Sequence, residues 1–177
     1  DTPAHIMGRA KLVAGPTGKA VDLNKLDQWV QVYPSDNVEI DGDKLTLTLD
    51  IYPRRFNASG GYMITKGSNQ YGLKQNGRDK LDFYIDTGAR EVLTVDLPSD
   101  WQDVWHNVTA VYDGATMTVY IDGQLAGERS AKGNIRNLPL MSLDELENSI
   151  EFKNLTPFLL ITYHPETQKG TPKEDMQ

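Results

Sequence analysis

Cysteine is absent from the 177-residue chain, so neither a disulfide framework nor thiol chemistry is open to it. Long apolar runs are missing too: none reaches the ~18 residues of a membrane-spanning helix. Positive charge is scarce, with 18 Lys and Arg against 25 Asp and Glu, a formal net charge of −7. Nucleic acid and anionic membranes both call for a basic patch, so this balance argues against either as a partner. Histidine is limited to His5, His106 and His164. The sequence holds no Ser-His-Asp order, no metal-binding His pair and no phosphate-cradling Gly-rich loop, and Gly60-Gly61 and Gly67 read as turn glycines. Asp82 and Asp86 carry no glycosidase motif and suggest no acid/base pair. A secretory leader is not visible ahead of Asp1, so the chain reads as a mature or excised domain of a larger parent. Its length suits one domain that buries its own core.

What the chain does have is alternation. The organising stretch is Trp101 to Gly127, read as a strand, a tight turn at Asp113-Gly114, a second strand and another tight turn at Asp122-Gly123. Asp-Gly between alternating apolar runs is a strong hairpin signal, because both positions tolerate positive φ. On the first strand Trp105, Asn107, Thr109 and Val111 share one phase, and His106, Val108, Ala110 and Tyr112 the other. Met117, Val119 and Ile121 alternate with Thr118 and Tyr120 on the second, and Tyr112 and Tyr120 flank the first turn within reach of each other. Upstream, strands are expected over Ala10–Val13, Asp27–Tyr33, Lys44–Tyr52, Gly61–Gly67, from Tyr71, over Lys80–Asp86 and over Glu91–Leu97, with turns at Gly15-Pro16-Thr17-Gly18 and Asn76-Gly77. Short strands with frequent turns predict an all-β fold, a two-sheet antiparallel β-sandwich.

The spacing Trp105-His106-Asn107-Val108, Tyr112-Asp113-Gly114 and Tyr120-Ile121-Asp122-Gly123-Gln124-Leu125 resembles the signature of laminin-G-like, or concanavalin A-like, domains. Gly18, Ala20 and Leu23, and later Tyr52-Pro53, fit the same pattern. The resemblance implies a concanavalin A-like jelly roll over about residues 10–140. The run Asp27 to Ile51, with Gly60 to Gly72 and the hairpin, is similar to accessory domains of bacterial family 2 glycoside hydrolases of the β-galactosidase type. That likeness implies a non-catalytic role, in which the chain binds carbohydrate or docks on the catalytic domain of an extracytoplasmic (periplasmic or secreted) enzyme. A laminin-G-like structural or protein-interaction domain without a glycan ligand is the alternative.

Residues 141–177 depart from that family's pattern. Ser142 and Glu145 form a capping box that predicts a short helix with Leu143, Leu146 and Ile150 on one face, followed by an apolar strand from Pro157 to Tyr163. Leu140, Ser142, Glu145 and Leu146, then Thr162, Tyr163, His164, Pro165 and Thr167, resemble a fragment of the hydrolysing UDP-N-acetylglucosamine 2-epimerases. A fusion carrying an inactive piece of such an enzyme is therefore a further reading.

Two binding features stand out. Exposed aromatic rings suit the C–H faces of sugars, and Trp29, Tyr62 and Tyr71 are the ligand candidates, with Lys66, Asn69 and Gln70 as polar partners. Trp105, Tyr112 and Tyr120 are read instead as packing in the core or against sheet edges. The resemblance also admits calcium, for which Asp36, Asp41, Asp43 and Asp113 are the candidate ligands, although Asp41 and Asp43 read first as a solvated turn. The sequons at Asn57, Asn107 and Asn154 are no more frequent than chance, and Asn107 lies within a strand.

Overall fold

The computed structural model describes residues 4–25, 27–33, 40, 42–54, 61–67 and 70–136. The predicted helix after Ser142 and the apolar strand after Pro157 lie outside the described residues. The described residues divide into two compact units: 4–13, 20–25 and 27–33 belong to one, and 14–19, 40, 42–54, 61–67 and 70–136 to the other. In the first, β1 (Ala4–Ile6) pairs antiparallel with β4 (Val30–Val32), and the Met7 amide donates to the Trp29 carbonyl at 2.9 Å. Strand β4 is shorter than the Asp27–Tyr33 expected from alternation. A separate hairpin, of β2 (Lys11–Gly15) and β3 (Gly18–Asp22), turns at Pro16-Thr17, as the Gly-Pro signal predicts; its residues 14–19 are counted with the second unit.

The second unit is the expected sandwich. One sheet has the order β12-β11-β10-β5, built from β5 (Leu45–Ile51), β10 (His106–Tyr112), β11 (Thr116–Ile121) and β12 (Gln124–Ser130). The other runs β6-β7-β8-β9 and comprises β6 (Gly61–Lys66), β7 (Tyr71–Asn76), β8 (Lys80–Asp86) and β9 (Arg90–Asp96). Every neighbouring pair in both sheets is antiparallel. Period-2 alternation sends Leu45 and Leu47, Val108, Ala110 and Tyr112, and Met117, Val119 and Ile121 inward from the first sheet. Tyr71 and Leu73, Leu81, Phe83 and Ile85, and Leu93 and Val95 face them from the second. Each fully buried large apolar side chain contributes about 1.5–3 kcal/mol, so this shared core is what joins the sheets.

The strands β9 and β12 close one side. Gly127 on β12 lets the other sheet approach: a Cβ there would sit 2.8 Å from Val95 Cγ1. Two residues on, Arg129 donates to the Val92 carbonyl at 2.5 Å and to Glu91 Oε2 at 2.6 Å.

The two Asp-Gly turns differ. Asp122 and Gly123 have φ of 53° and 76° and join Ile121 to its partner Gln124, which is the two-residue hairpin that the sequence predicts. At Asp113-Gly114 only Gly114 has positive φ, 96°, and Tyr112 pairs with Met117, so the loop is longer than a two-residue turn. Asp113 Oδ1 accepts the Ala115 amide at 2.9 Å and the Thr116 amide at 2.7 Å, and these bonds hold its carboxyl below the usual carboxylate range. Tyr112 and Tyr120 do not meet: Tyr112 points into the core, its hydroxyl donating to the Gly133 carbonyl at 2.6 Å, while Tyr120 points out. Their offsets from the turn place them in opposite phases.

His106 fixes the start of β10. Its buried ring stacks on Trp101, with centroids 4.7 Å apart and planes 21° from parallel. Its Nδ1 lies 2.7 Å from Asp122 Oδ2 and its Nε2 3.3 Å from the Asp100 carbonyl. Asp122 Oδ1 accepts the Asn107 amide at 2.8 Å, so one carboxylate ties the strand to the turn after β11. Burial pushes the Asp122 carboxyl up, but the hydrogen bonds from His106 and Asn107 and the charge of His106 together hold it below the usual range.

A depressed carboxyl contributes stability that is present above its unfolded value, about 3.9, and is lost as pH falls through the lower folded value. Asp122→Asn keeps an acceptor and a residue that tolerates positive φ but removes the charge. It is expected to cost about 1–2 kcal/mol at pH 7, read from urea unfolding. The gap from the parent protein should narrow below pH ~4. Equal midpoints at pH 7 would show that the carboxylate adds nothing to the pin.

Candidate ligand-binding surface

The outer face of the β6-β7-β8-β9 sheet is organised by an irregularity. Tyr62 pairs with Lys74 and Ile64 with Leu73, so Met63 is an extra residue, a β-bulge. The bulge resets the phase, and Tyr62 and Thr65 both fall on the outer face although three positions separate them. One row across the sheet then reads Tyr62, Lys74, Asp82 and Thr94 in register. Tyr62 is 54% exposed, with Lys74 Nζ 5.3 Å from its ring centroid. Thr94 Oγ1 donates to Asp82 Oδ1 at 2.7 Å. In the next row Lys80 pairs with Asp96, whose hydrogen bond and charge raise the lysine above its ordinary value.

Between Tyr62 and the β6–β7 turn lies a filled hollow. Gly72 faces Tyr84 across the pair, and a Cβ on Gly72 would meet the Ile64 carbonyl oxygen at 2.5 Å and the Tyr84 hydroxyl at 2.7 Å. Tyr84, although in the outward phase, is 0% exposed. Its hydroxyl lies 2.6 Å from Thr65 Oγ1, and Arg90 covers its ring at 4.3 Å. Desolvation raises its pKa above the ordinary tyrosine value. The surface thus offers one accessible aromatic ring beside alternating cations and carboxylates, on a rigid support.

The sequence candidates separate. Tyr71 does not present a ring to a ligand: at 8% exposure it packs in the core, in phase with Leu73. Lys66 is opposite Tyr71 in the register, and the Gln70 carbonyl accepts the Asp86 amide at 2.8 Å, so both sit at the β6–β7 turn, at the far end of β6 from Tyr62. Trp29, in the first unit, is 46% exposed and its indole donates to Gln31 Oε1 at 3.2 Å. Asn69, Asp36 and Asp41 lie outside the described residues. Asp43 reaches the loop that Asp113 begins, since a Cβ on Gly114 would sit 2.7 Å from Asp43 Oδ2. Calcium takes six to eight oxygens, and Asp113 Oδ1 already serves two amides, so the described residues of this loop do not by themselves fit the ion. Trp105 and Tyr120, read from the sequence as packing in the core or against sheet edges, lie in the outward phase; Trp105 is half-buried and Tyr120 is exposed. Their step from Asn107 and Thr118, both polar, was the signal that could have found them.

A family model described as the concanavalin A-like lectin/glucanases superfamily, Laminin_G_3, matches residues 24–141, well over half of the chain. The chain belongs to that superfamily. The superfamily match ends at residue 141, so nearly all of the epimerase-like segment lies beyond it. No curated protein matches the chain. Among solved structures, the binding domain of botulinum neurotoxin serotype G aligns with a TM-score of 0.60 at 12% identity, over 73% of this chain and 35% of that one. A second neurotoxin binding domain, of type DC, solved with rat synaptotagmin II, aligns at 0.59 with 13% identity over 75% and 35%. This chain therefore spans about a third of the neurotoxin domains' length. Domain 4 of an extracellular GH43 arabinanase from Geobacillus stearothermophilus, solved with arabinotriose, aligns at 0.56 with 14% identity, over 75% of this chain and 68% of that one. At these identities the likeness is one of fold.

Gly72→Ala is expected to lower stability by about 1–3 kcal/mol, because both the Ile64 backbone and the Tyr84 ring must move. A thermal melt reads this directly, and an unchanged midpoint would mean that the hollow is not tightly filled.

Proposed function

We propose that this chain is a non-catalytic carbohydrate-binding module that stacks a sugar ring on Tyr62 and engages its hydroxyls through Lys74 and Asp82. The observation that carries this reading is the row Tyr62-Lys74-Asp82-Thr94 on an outer sheet face, where an exposed ring stands beside donors and acceptors. Sugars need that pairing, since their C–H faces are apolar and their rims polar. The superfamily match agrees with it, and so does a fold neighbour solved with arabinotriose. In the finer reading the parent is an extracytoplasmic glycoside hydrolase of the β-galactosidase type, and the module keeps its catalytic domain close to polymeric substrate.

Isothermal titration with arabinotriose, xylotriose, cellotriose and galactotriose should find a ligand, and Tyr62→Ala should weaken it by roughly tenfold or more. Absence of binding to every one of them, in protein shown to be folded, would move the reading to a structural domain that docks on another part of its parent. Binding is also expected to persist in EDTA. Its loss there, restored by added calcium, would return the loop of Asp43 and Asp113 to the site.

A further inference from the structure

The outer face of the other sheet carries a second arrangement of the same chemistry. Tyr52 follows β5 and Trp105 precedes β10, and their rings meet edge to face, with centroids 5.5 Å apart and planes at 60°. Tyr52 is 39% exposed. The loops that bear them are tied together: the Asp103 amide donates to the Pro53 carbonyl at 2.8 Å, and Gln102 Nε2 to the Arg54 carbonyl at 3.1 Å. Two residues inward on each strand, Asn107 Nδ2 donates to Asp50 Oδ1 at 2.9 Å. One step further, Thr48 and Thr109 hydroxyls lie 3.0 Å apart, and Thr109 Oγ1 donates to Asn107 Oδ1 at 3.2 Å. The register Asn107↔Asp50 and Thr109↔Thr48 sets these pairs in file behind the aromatic pair.

From this file we infer that the outer face of β5 and β10 is a second glycan platform, with Tyr52 and Trp105 as the stacking element and Asp50, Asn107, Thr48 and Thr109 as the hydroxyl-binding track. The rows are spaced about 7 Å apart, two residues of strand, so the track extends lengthwise and suits an unbranched oligosaccharide. Its groups are mixed donors and acceptors with a single carboxylate and no cation, which matches a neutral polyhydroxylated ligand and disfavours an anionic one. The loops that bear the aromatic pair are tied to each other by the Asp103–Pro53 and Gln102–Arg54 hydrogen bonds, so little ordering is required when a sugar arrives. This inference rests on the sugar chemistry of the proposed function but on none of the Tyr62 residues.

The test is amide chemical-shift mapping of the full, isotope-labelled chain titrated with the same four neutral oligosaccharides, in the parent protein and in Tyr62→Ala, Trp105→Ala and Asn107→Ala. Saturable shifts at Asp50, Asn107 and Thr109 are expected in the parent and in Tyr62→Ala. Asn107→Ala removes a surface side chain with no core contact and should weaken them by about tenfold, as should Trp105→Ala. Shifts confined to β6 and β7 would overturn this second platform and leave the proposed function standing. Shifts confined to β5 and β10 would support the platform and remove the Tyr62 site. Shifts at neither face would remove both.

Discussion

The carboxylate of Asp122 is the interaction on which most of the sandwich's first sheet depends. One oxygen meets the buried imidazole of His106 and the other takes the backbone amide of Asn107. Its own amide returns to the Asn107 carbonyl at 2.8 Å. A single residue in a left-handed conformation therefore sets where β10 begins, how β11 leaves its turn and which way the imidazole lies against Trp101. A shift of one residue at this point would reverse the phase of β10, burying Asn107 and Thr109 and exposing Val108 and Ala110. The outward polar file and the inward core are two results of the same bond.

The sandwich was legible where the pattern is local. Leu45 to Ile51 and Lys80 to Asp86 alternate cleanly, and both form strands within a residue of the expected bounds. The hairpin at Asp122-Gly123 follows from the two residues alone. The longer loop at Asp113 does not, because its shape comes from a side-chain oxygen that captures two amides ahead of it, a competition that an Asp-Gly pair leaves open. The closure of the sheets was also hidden. Gly127 and Arg129 act on β9, more than thirty positions earlier, and no local period encodes that approach.

The site residues were legible in part and for the same reason. Tyr62 is exposed as expected, but its aim depends on the extra residue at Met63, which only pairing reveals. Tyr71 was misjudged because composition outweighed phase: two residues from Leu73, it shares the inward side. Trp105 was read as packing in the core or against an edge, and its step from Asn107 decides between them: it lies outward, half-buried beside Tyr52. For aromatic residues on strands the phase of polar neighbours is the better guide, because the pleat leaves a ring only two directions to take.

The irregular pairings have one more consequence. Within the described strands of the sandwich, β6 and β12 lie at sheet edges, and each carries an extra residue: Met63 on β6, and Ala126 on β12, where Val119 pairs with Gly127 but Tyr120 with Leu125. A regular edge is a template on which a second chain can add by hydrogen bonding, the first step toward fibrils. An inserted residue breaks the even spacing of N–H and C=O groups and twists the strand, so an incoming strand loses its register within a few residues. The bulge that aims Tyr62 outward thus also interrupts the hydrogen-bonding rhythm of an edge of the described sheet, and a deletion that regularised β6 is expected to make that edge a better template for an added strand.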